Sequence, residues 1–266
     1  MFITGLFTGI FYLTSGAWLT FNLFNNKIVQ DAPNKNILAF SFLALILHAV
    51  ILFSDTITPE GLNPSFVNSF SLVSWLIVLL YLIAELRKPV ETLGVLILPT
   101  AGIAIFLQLF FPNEVTLTNR SLELEIHILL SLLAYGLLSI AAGQSIILLI
   151  QTHYLKNKHP GGFIRSLPAL QSMEKLLFQM IQLGFILLTL ALLSGFIFLD
   201  DIFAQHLAHK TLLSIIAWLL FAILLWGRWH FGWRGKKAVH FTLAGFIFLM
   251  LSYFGSKMVL EILQRV

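Results

Sequence analysis

Long apolar runs broken by short polar joints set the pattern of this chain. The runs fall at about 2–24, 37–54, 66–84, 92–111, 127–154, 176–199, 211–227 and 238–262. Each approaches or exceeds the roughly 20 residues that a helix needs to cross a bilayer core. The joints are too short to hold a soluble domain, and no long-period repeat or low-complexity tract interrupts them. The pattern predicts an all-α fold: a polytopic membrane helix bundle of eight transmembrane helices, forming a single integral-membrane domain over residues 1–266. The first run, "MFITGLFTGIFYLTSGAWLTFNLF", has no basic leading region and no small-x-small cleavage site, so it reads as a retained helix.

Composition strengthens that reading. Hydrophobic residues make up 58% of the chain, charged residues 11%, and phenylalanine alone occurs 25 times. Soluble domains carry roughly a quarter charged residues, so the solvent for this surface is lipid. The absence of cysteine excludes disulfides, thiolate chemistry, iron–sulfur ligation and covalent c-type haem attachment to this chain.

The net charge of +4 would suit a nucleic-acid partner if it were gathered on one soluble face. Instead it follows the joints. Those after the first, third, fifth and seventh runs hold Lys27, Lys35, Arg87, Lys88, Lys156, Lys158, Arg165, Lys175, Arg228, Arg234, Lys236 and Lys237. The opposite side holds Arg120, Lys210, Lys257 and Arg265. Twelve against four is a positive-inside bias. It predicts both termini extracytoplasmic, in a multi-pass protein of a cytoplasmic (inner) membrane, with lipid and not nucleic acid as the partner of the basic residues. The segment "WGRWHFGWRGKK" (226–237) then forms the last inner turn, where tryptophan and basic side chains anchor at the headgroup layer.

The histidines carry the candidate chemistry. His153, His159, His230 and His240 fall at the inner boundary among lysines and arginines and read as interfacial residues. His48 lies inside "LALILHAVILF", His127 opens "HILLSLLAY", and His206 and His209 sit in the outer joint "DDIFAQHLAHK". A polar side chain in an apolar span is a functional candidate, because lipid offers it no hydrogen-bond partner. It can also be a helix-to-helix hydrogen bond that holds a bundle together. No His-x-x-x-His or Glu-x-x-His pair supplies two ligands from one helix, so the signal for zinc is weak.

Haem asks for less: one or two axial imidazoles, an apolar slot and cations for its propionates. His48 and His127 are the first candidates for the haem iron, with His206 and His209 behind them and Arg120 and Lys210 as the outer cations. His127, Ser131 and Tyr135 advance by fours into a polar stripe that suits a cofactor groove or packing. Glu123, four residues before His127, is a candidate to orient its ring.

Three stretches carry a family resemblance: "IHILLSLLAYGLLSIAA", "LLTLALLSGFIF" and "HKTLLSIIAWLLFAILLWGRWHFGWRGKKAVHFTLAGFIFLMLSYFG". They resemble the cytochrome c assembly protein superfamily, the CcsA/CcmC-type haem handlers. The likeness is greatest to the compact eight-helix branch of HemX-like and YpjD-like inner-membrane proteins, and "GWRG" is its most specific element. In larger members, paired histidines and a tryptophan-rich outer loop present haem to apocytochrome c. The resemblance matches His127 to the family histidine ahead of that loop, His48 to an earlier membrane histidine, and Lys210 to the loop motif's lysine. It does not reach the loop itself, since "LDDIFAQHLAHK" contains no tryptophan. Trp226 stands where the family has a later histidine, and the histidine after the last helix is missing.

The leading expectation is a protein that binds haem b non-covalently near the outer leaflet and takes part in haem delivery or export. No enzymatic constellation of its own stands out. Its partner would be a cytochrome c maturation or haem-biosynthesis protein. The alternative is a regulatory or assembly factor for haem biosynthesis that acts through the basic inner loops without a cofactor. Ion-coupled transport is disfavoured, because the spans as drawn place no acid within the inner half of the membrane.

Overall fold

The structure is a computed structural model that describes residues 2–25, 35–58, 61–62, 65–86, 90–111, 122–157, 164, 167–198 and 205–255. Helices dominate: α1 (Phe2–Phe24), α2 (Lys35–Thr56), α3 (Phe66–Glu85), α4 (Glu91–Phe110), α5 (Leu122–Lys156), α6 (Leu170–Phe198), α7 (Gln205–Phe231) and α8 (Lys236–Met250). Among the described residues all eight, α8 together with the turn that continues it to Phe254, are long and apolar enough to cross a membrane. α8 runs on into a π-helical turn, Leu251–Gly255. After α2, two-residue strands β1 (Ile57–Thr58) and β2 (Gly61–Leu62) pair antiparallel.

The ends of the elements differ most from the sequence reading. α6 begins at Leu170 where the apolar run begins at about 176, and α7 extends the expected 211–227 to Gln205–Phe231. Hydropathy marks the part of a helix that meets hydrocarbon. Backbone hydrogen bonding continues past the apolar run, where Lys175 and His230 are exposed. His206, His209 and Lys210, read as loop residues, therefore belong to the first turns of α7.

The chain divides into two compact units. The first comprises Met1–Thr118 with Ile150–Ala169, the second Asn119–Leu149 with Leu170–Val266. In the first, α1 lies against α2 and α4, and α3 lies against the same two helices. Small residues let α1 and α4 approach, as van der Waals packing in lipid requires. A Cβ at Gly9 would come within 2.6 Å of the Phe106 ring, and one at Gly16 within 2.8 Å of the Pro99 ring. Gln151 closes this unit's second segment by donating to the Pro168 carbonyl at 2.9 Å.

In the second unit, α5 and α6 run antiparallel, pinned by three contacts spaced along their length. Gln144 donates to the Met173 carbonyl at 3.2 Å, Leu138 fills the space over Gly184, and His127 meets Ser194 and Gly195. α7 docks on α6 where the Trp218 indole donates to Thr189 Oγ1 at 2.9 Å and stacks on Phe185. α8 docks on α7 with Gly245 under the Phe221 ring. Farther along, Ser214 donates to Ser252, which donates to the Lys210 carbonyl, both at 2.8 Å.

The segment 226–237 has two kinds of tryptophan. Trp226 and Trp229 are 54% and 84% exposed, as an interfacial anchor needs. Trp233 instead folds its ring back over Gly227, and its backbone N–H donates to the Gly227 carbonyl at 3.2 Å. Arg228 donates to the Trp233 carbonyl at 3.1 Å and lies over the Phe178 ring, 4.5 Å from its centre. Glu174 of α6 accepts the Gly235 N–H at 2.8 Å. Gly232 and Gly235 take φ of +62° and +53°, which admit glycine far more readily than other residues.

The turn is thus a joint that fixes α6, α7 and α8 as well as a membrane anchor. A Cβ at Gly227 would overlap the Trp233 ring. Gly227→Ala is expected to cost about 1–3 kcal/mol by overpacking, read as a lower melting temperature in detergent. An unchanged melting temperature would refute the joint.

Candidate functional site

His48 stands on α2 with none of its surface exposed. Its Nδ1 is 3.3 Å from the Tyr12 hydroxyl of α1, and its Nε2 is 2.9 Å from Ser71 Oγ of α3. The Tyr12 ring also meets the imidazole edge-on, with centroids 5.7 Å apart. A neutral imidazole has one N–H and one lone pair. Both are used here, and both partners are themselves wholly buried. The arrangement ties three helices of the first unit through one ring.

His127 is built differently. It lies near the start of α5, partly buried, and its Nδ1 is 3.0 Å from Ser194 Oγ on α6. Ser194 donates its single hydroxyl hydrogen to the Ala191 carbonyl at 2.8 Å. The serine oxygen can therefore only accept from the histidine, which places the imidazole proton on Nδ1. Nε2 keeps its lone pair and makes no hydrogen bond among the described residues. Donation from the non-ligating nitrogen to a fixed acceptor is how proteins orient a histidine that will bind a metal. The orienting residue on Nδ1 is thus Ser194; Glu123, the sequence candidate, has an exposed side chain.

Gly195 completes the seat. A Cβ there would lie 3.0 Å from Cε1 of His127, so the ring rests directly on the α6 backbone. Gly195→Ala is expected to tilt the imidazole while leaving the helix intact. The check is the His127 ring chemical shift, which should move in the variant. An unaltered shift would place the ring elsewhere.

The remaining candidates are scattered. Tyr135, two turns beyond His127, is buried among the rings of Phe246, Tyr253 and Phe254, with centroids 5.5–5.7 Å away. Packing therefore explains its place on the polar stripe. His209 is exposed, and Lys210 is partly buried with its carbonyl held by Ser252. Arg120 and the His206 side chain lie outside the described residues. Among the described residues, no group of three or more histidine, cysteine or acidic side chains forms a metal cluster. Sequence reasoning missed Tyr12, Ser71 and Ser194. The last had a faint signal in the small pair Ser194–Gly195, where an apolar helix allows close approach.

Residues 36–264 match the family model described as cytochrome C assembly protein. This chain belongs to the cytochrome c assembly protein family. Inner membrane protein YpjD of Escherichia coli K12 is 37% identical over 226 residues, covering 84% of this chain and 85% of that one. Protein HemX of Brevibacillus brevis is 23% identical over 240 residues, covering 86% and 88%. The cytochrome c biogenesis protein CcsA of Mesostigma viride is 22% identical over 259 residues, covering 86% and 84%. No solved structure matches. The family region takes in residues of both compact units, including His48 and His127. With its eight apolar helices, the chain is a multi-pass protein of the bacterial inner membrane, as expected.

Proposed function

We propose that this member of the cytochrome c assembly protein family is a haem handler. It binds haem b non-covalently near the outer leaflet, with His127 as an axial ligand. One observation carries the reading: the His127–Ser194–Ala191 relay that holds the ring as the Nδ1–H tautomer with Nε2 left as donor to a metal. When bound, haem would supply an iron that takes an imidazole nitrogen as ligand.

The chain's own residues do the rest. Ser194 fixes the tautomer, Gly195 leaves room for the ring, and Lys210 with Arg120 supplies positive charge for propionates. His209, exposed and with no ring hydrogen bond among the described residues, is a second-ligand candidate, and His206 is the other on its place in the sequence. His48 can enter iron ligation only by releasing Tyr12 or Ser71. CcsA, among the relatives, is named for cytochrome c biogenesis, which makes a cytochrome c maturation partner the natural one for this chain. Both termini lie outside the cytoplasm in this proposal, on the strength of the basic joints.

Titrating haem b into the purified protein in mild detergent tests the binding. Saturable uptake with one haem per chain is expected, and uptake no different from an unrelated membrane protein would sink the proposal. The regulatory alternative loses part of its basis, since Arg228 is committed to the Trp233 carbonyl and the Phe178 ring. It would regain ground if haem failed to bind.

A further inference from the structure

The turn between α7 and α8 holds more charge than an anchor or a joint needs. Residues 226–237 carry Arg228, Arg234, Lys236 and Lys237 and no acid. Arg228 is engaged by the Trp233 carbonyl and the Phe178 ring. Glu174, the acid that reaches the turn from α6, accepts the Gly235 N–H. Arg234, Lys236 and Lys237 are exposed and form no ion pair among the described residues. One acid from elsewhere could neutralise one of these three cations and would leave two.

The aromatic side chains beside the cations hold one another in place. The His230 ring meets the indoles of both Trp226 and Trp229, 4.8 Å from the centre of each. A carbonyl can only accept, so His230 Nδ1, 3.3 Å from the Trp226 carbonyl, carries its hydrogen and donates it there. Trp229 is thereby propped outward, and its indole N–H has no partner among the described residues. Lys237 Nζ lies 5.3 Å from the centre of the Trp233 ring, within reach of cation–π attraction.

Both helices that meet here are of membrane-spanning length, so the turn lies at a membrane surface. Tryptophan rings settle at the depth of the headgroups, which brings the cations that follow them to the phosphates. Any phospholipid would suit the exposed faces of Trp226, Trp229 and Phe231. A zwitterionic headgroup, however, brings its own cation to a place that already holds three. A headgroup with net negative charge satisfies the rings and the cations together.

We propose that this turn is a binding site for an anionic phospholipid, its phosphate held by Arg234, Lys236, Lys237 and the Trp229 indole N–H. The site lies at the α7–α8 end of the second unit and is independent of haem. The same turn fixes α6, α7 and α8 through Arg228, Glu174 and Gly227, so a lipid bound there clamps the joint.

Phosphatidylglycerol and phosphatidylcholine with the same acyl chains are the probes. Delipidated full-length protein in mild detergent is titrated with each, bound lipid is counted by native mass spectrometry, and the same samples are melted. Phosphatidylglycerol should bind more tightly and raise the melting temperature further. A basic residue at an anionic surface is worth roughly five-fold in affinity. Lys236→Gln combined with Lys237→Gln should therefore lower the preference for phosphatidylglycerol by up to about 30-fold. Both lysines are exposed, so melting in lipid-free detergent should not change. Trp229→Ala, which keeps the charges, should weaken both lipids and preserve their ratio.

Equal binding of the two lipids by the wild type would overturn the site and leave the cations to an acidic protein partner. A preference that survives Lys236→Gln, Lys237→Gln and Arg234→Gln together would overturn it as well. So would displacement of phosphatidylglycerol by an equal concentration of inorganic phosphate, which would make the ligand a free anion.

Discussion

Replacing His48 by alanine destabilises the protein by about 3–5 kcal/mol, among the largest losses expected from any single change outside the backbone glycines. Truncating a large buried side chain costs about 2–5 kcal/mol through the cavity it leaves. Each hydroxyl stranded in the interior costs about 1–3 kcal/mol more. Here both Tyr12 and Ser71 lose their partner together, and neither has surface through which water could replace it. Relaxation of α1, α2 and α3 recovers part of the sum.

For a chain of this size the loss lowers the melting temperature by roughly 10 °C, at about 2–4 °C per kcal/mol. Thermal melting in detergent measures it, run at one scan rate because an apparent melting temperature depends on scan rate wherever unfolding is irreversible. Tyr12→Phe and Ser71→Ala should each cost less, and in the His48→Ala background each should cost almost nothing. That non-additivity identifies one shared network. Additive losses would mean that the three residues act separately.

Ser194→Ala has a different signature. It removes the acceptor of the His127 Nδ1–H but no large packing volume, so stability should fall little. Loss of an outer hydrogen bond to a metal-binding histidine weakens affinity by about 10–100-fold. Haem titration of Ser194→Ala should therefore give a dissociation constant raised by that factor. Ser194→Thr retains the hydroxyl and should recover most of it. Equal affinity in wild type and Ser194→Ala would show that the relay has no bearing on ligation. Recovery by threonine separates orientation from packing, because threonine adds a methyl group to the same position.

The eight helices are legible in the sequence because the requirement for hydrocarbon length leaves long apolar runs that no soluble fold needs. Their ends are not legible, because hydropathy falls before helical hydrogen bonding does. The six-residue extension of α6 to Leu170 and the placement of His209 in α7 both follow from that offset. The same offset hid the acids: Glu85 and Glu91 lie one residue beyond the apolar runs yet remain buried inside the helix ends.

The two membrane histidines could be singled out because an imidazole is conspicuous among leucines. Their partners could not. Tyr12, Ser71 and Ser194 are 36, 23 and 67 positions away from the histidines they meet, and serine and tyrosine are ordinary in apolar helices. What separates His48 from His127 is the count of ring nitrogens already engaged. That count is a property of three-dimensional packing, and no spacing rule within one helix encodes it.

The most direct test of the central claim is the absorption spectrum of the purified protein loaded with haem b, oxidised and reduced, beside His127→Ala prepared identically. The wild type should show a sharp Soret band and reduced bands of histidine-ligated haem. His127→Ala should lose them while melting at nearly the wild-type temperature. A His127→Ala protein whose spectrum matches the wild type would contradict the assignment of His127 as the iron ligand.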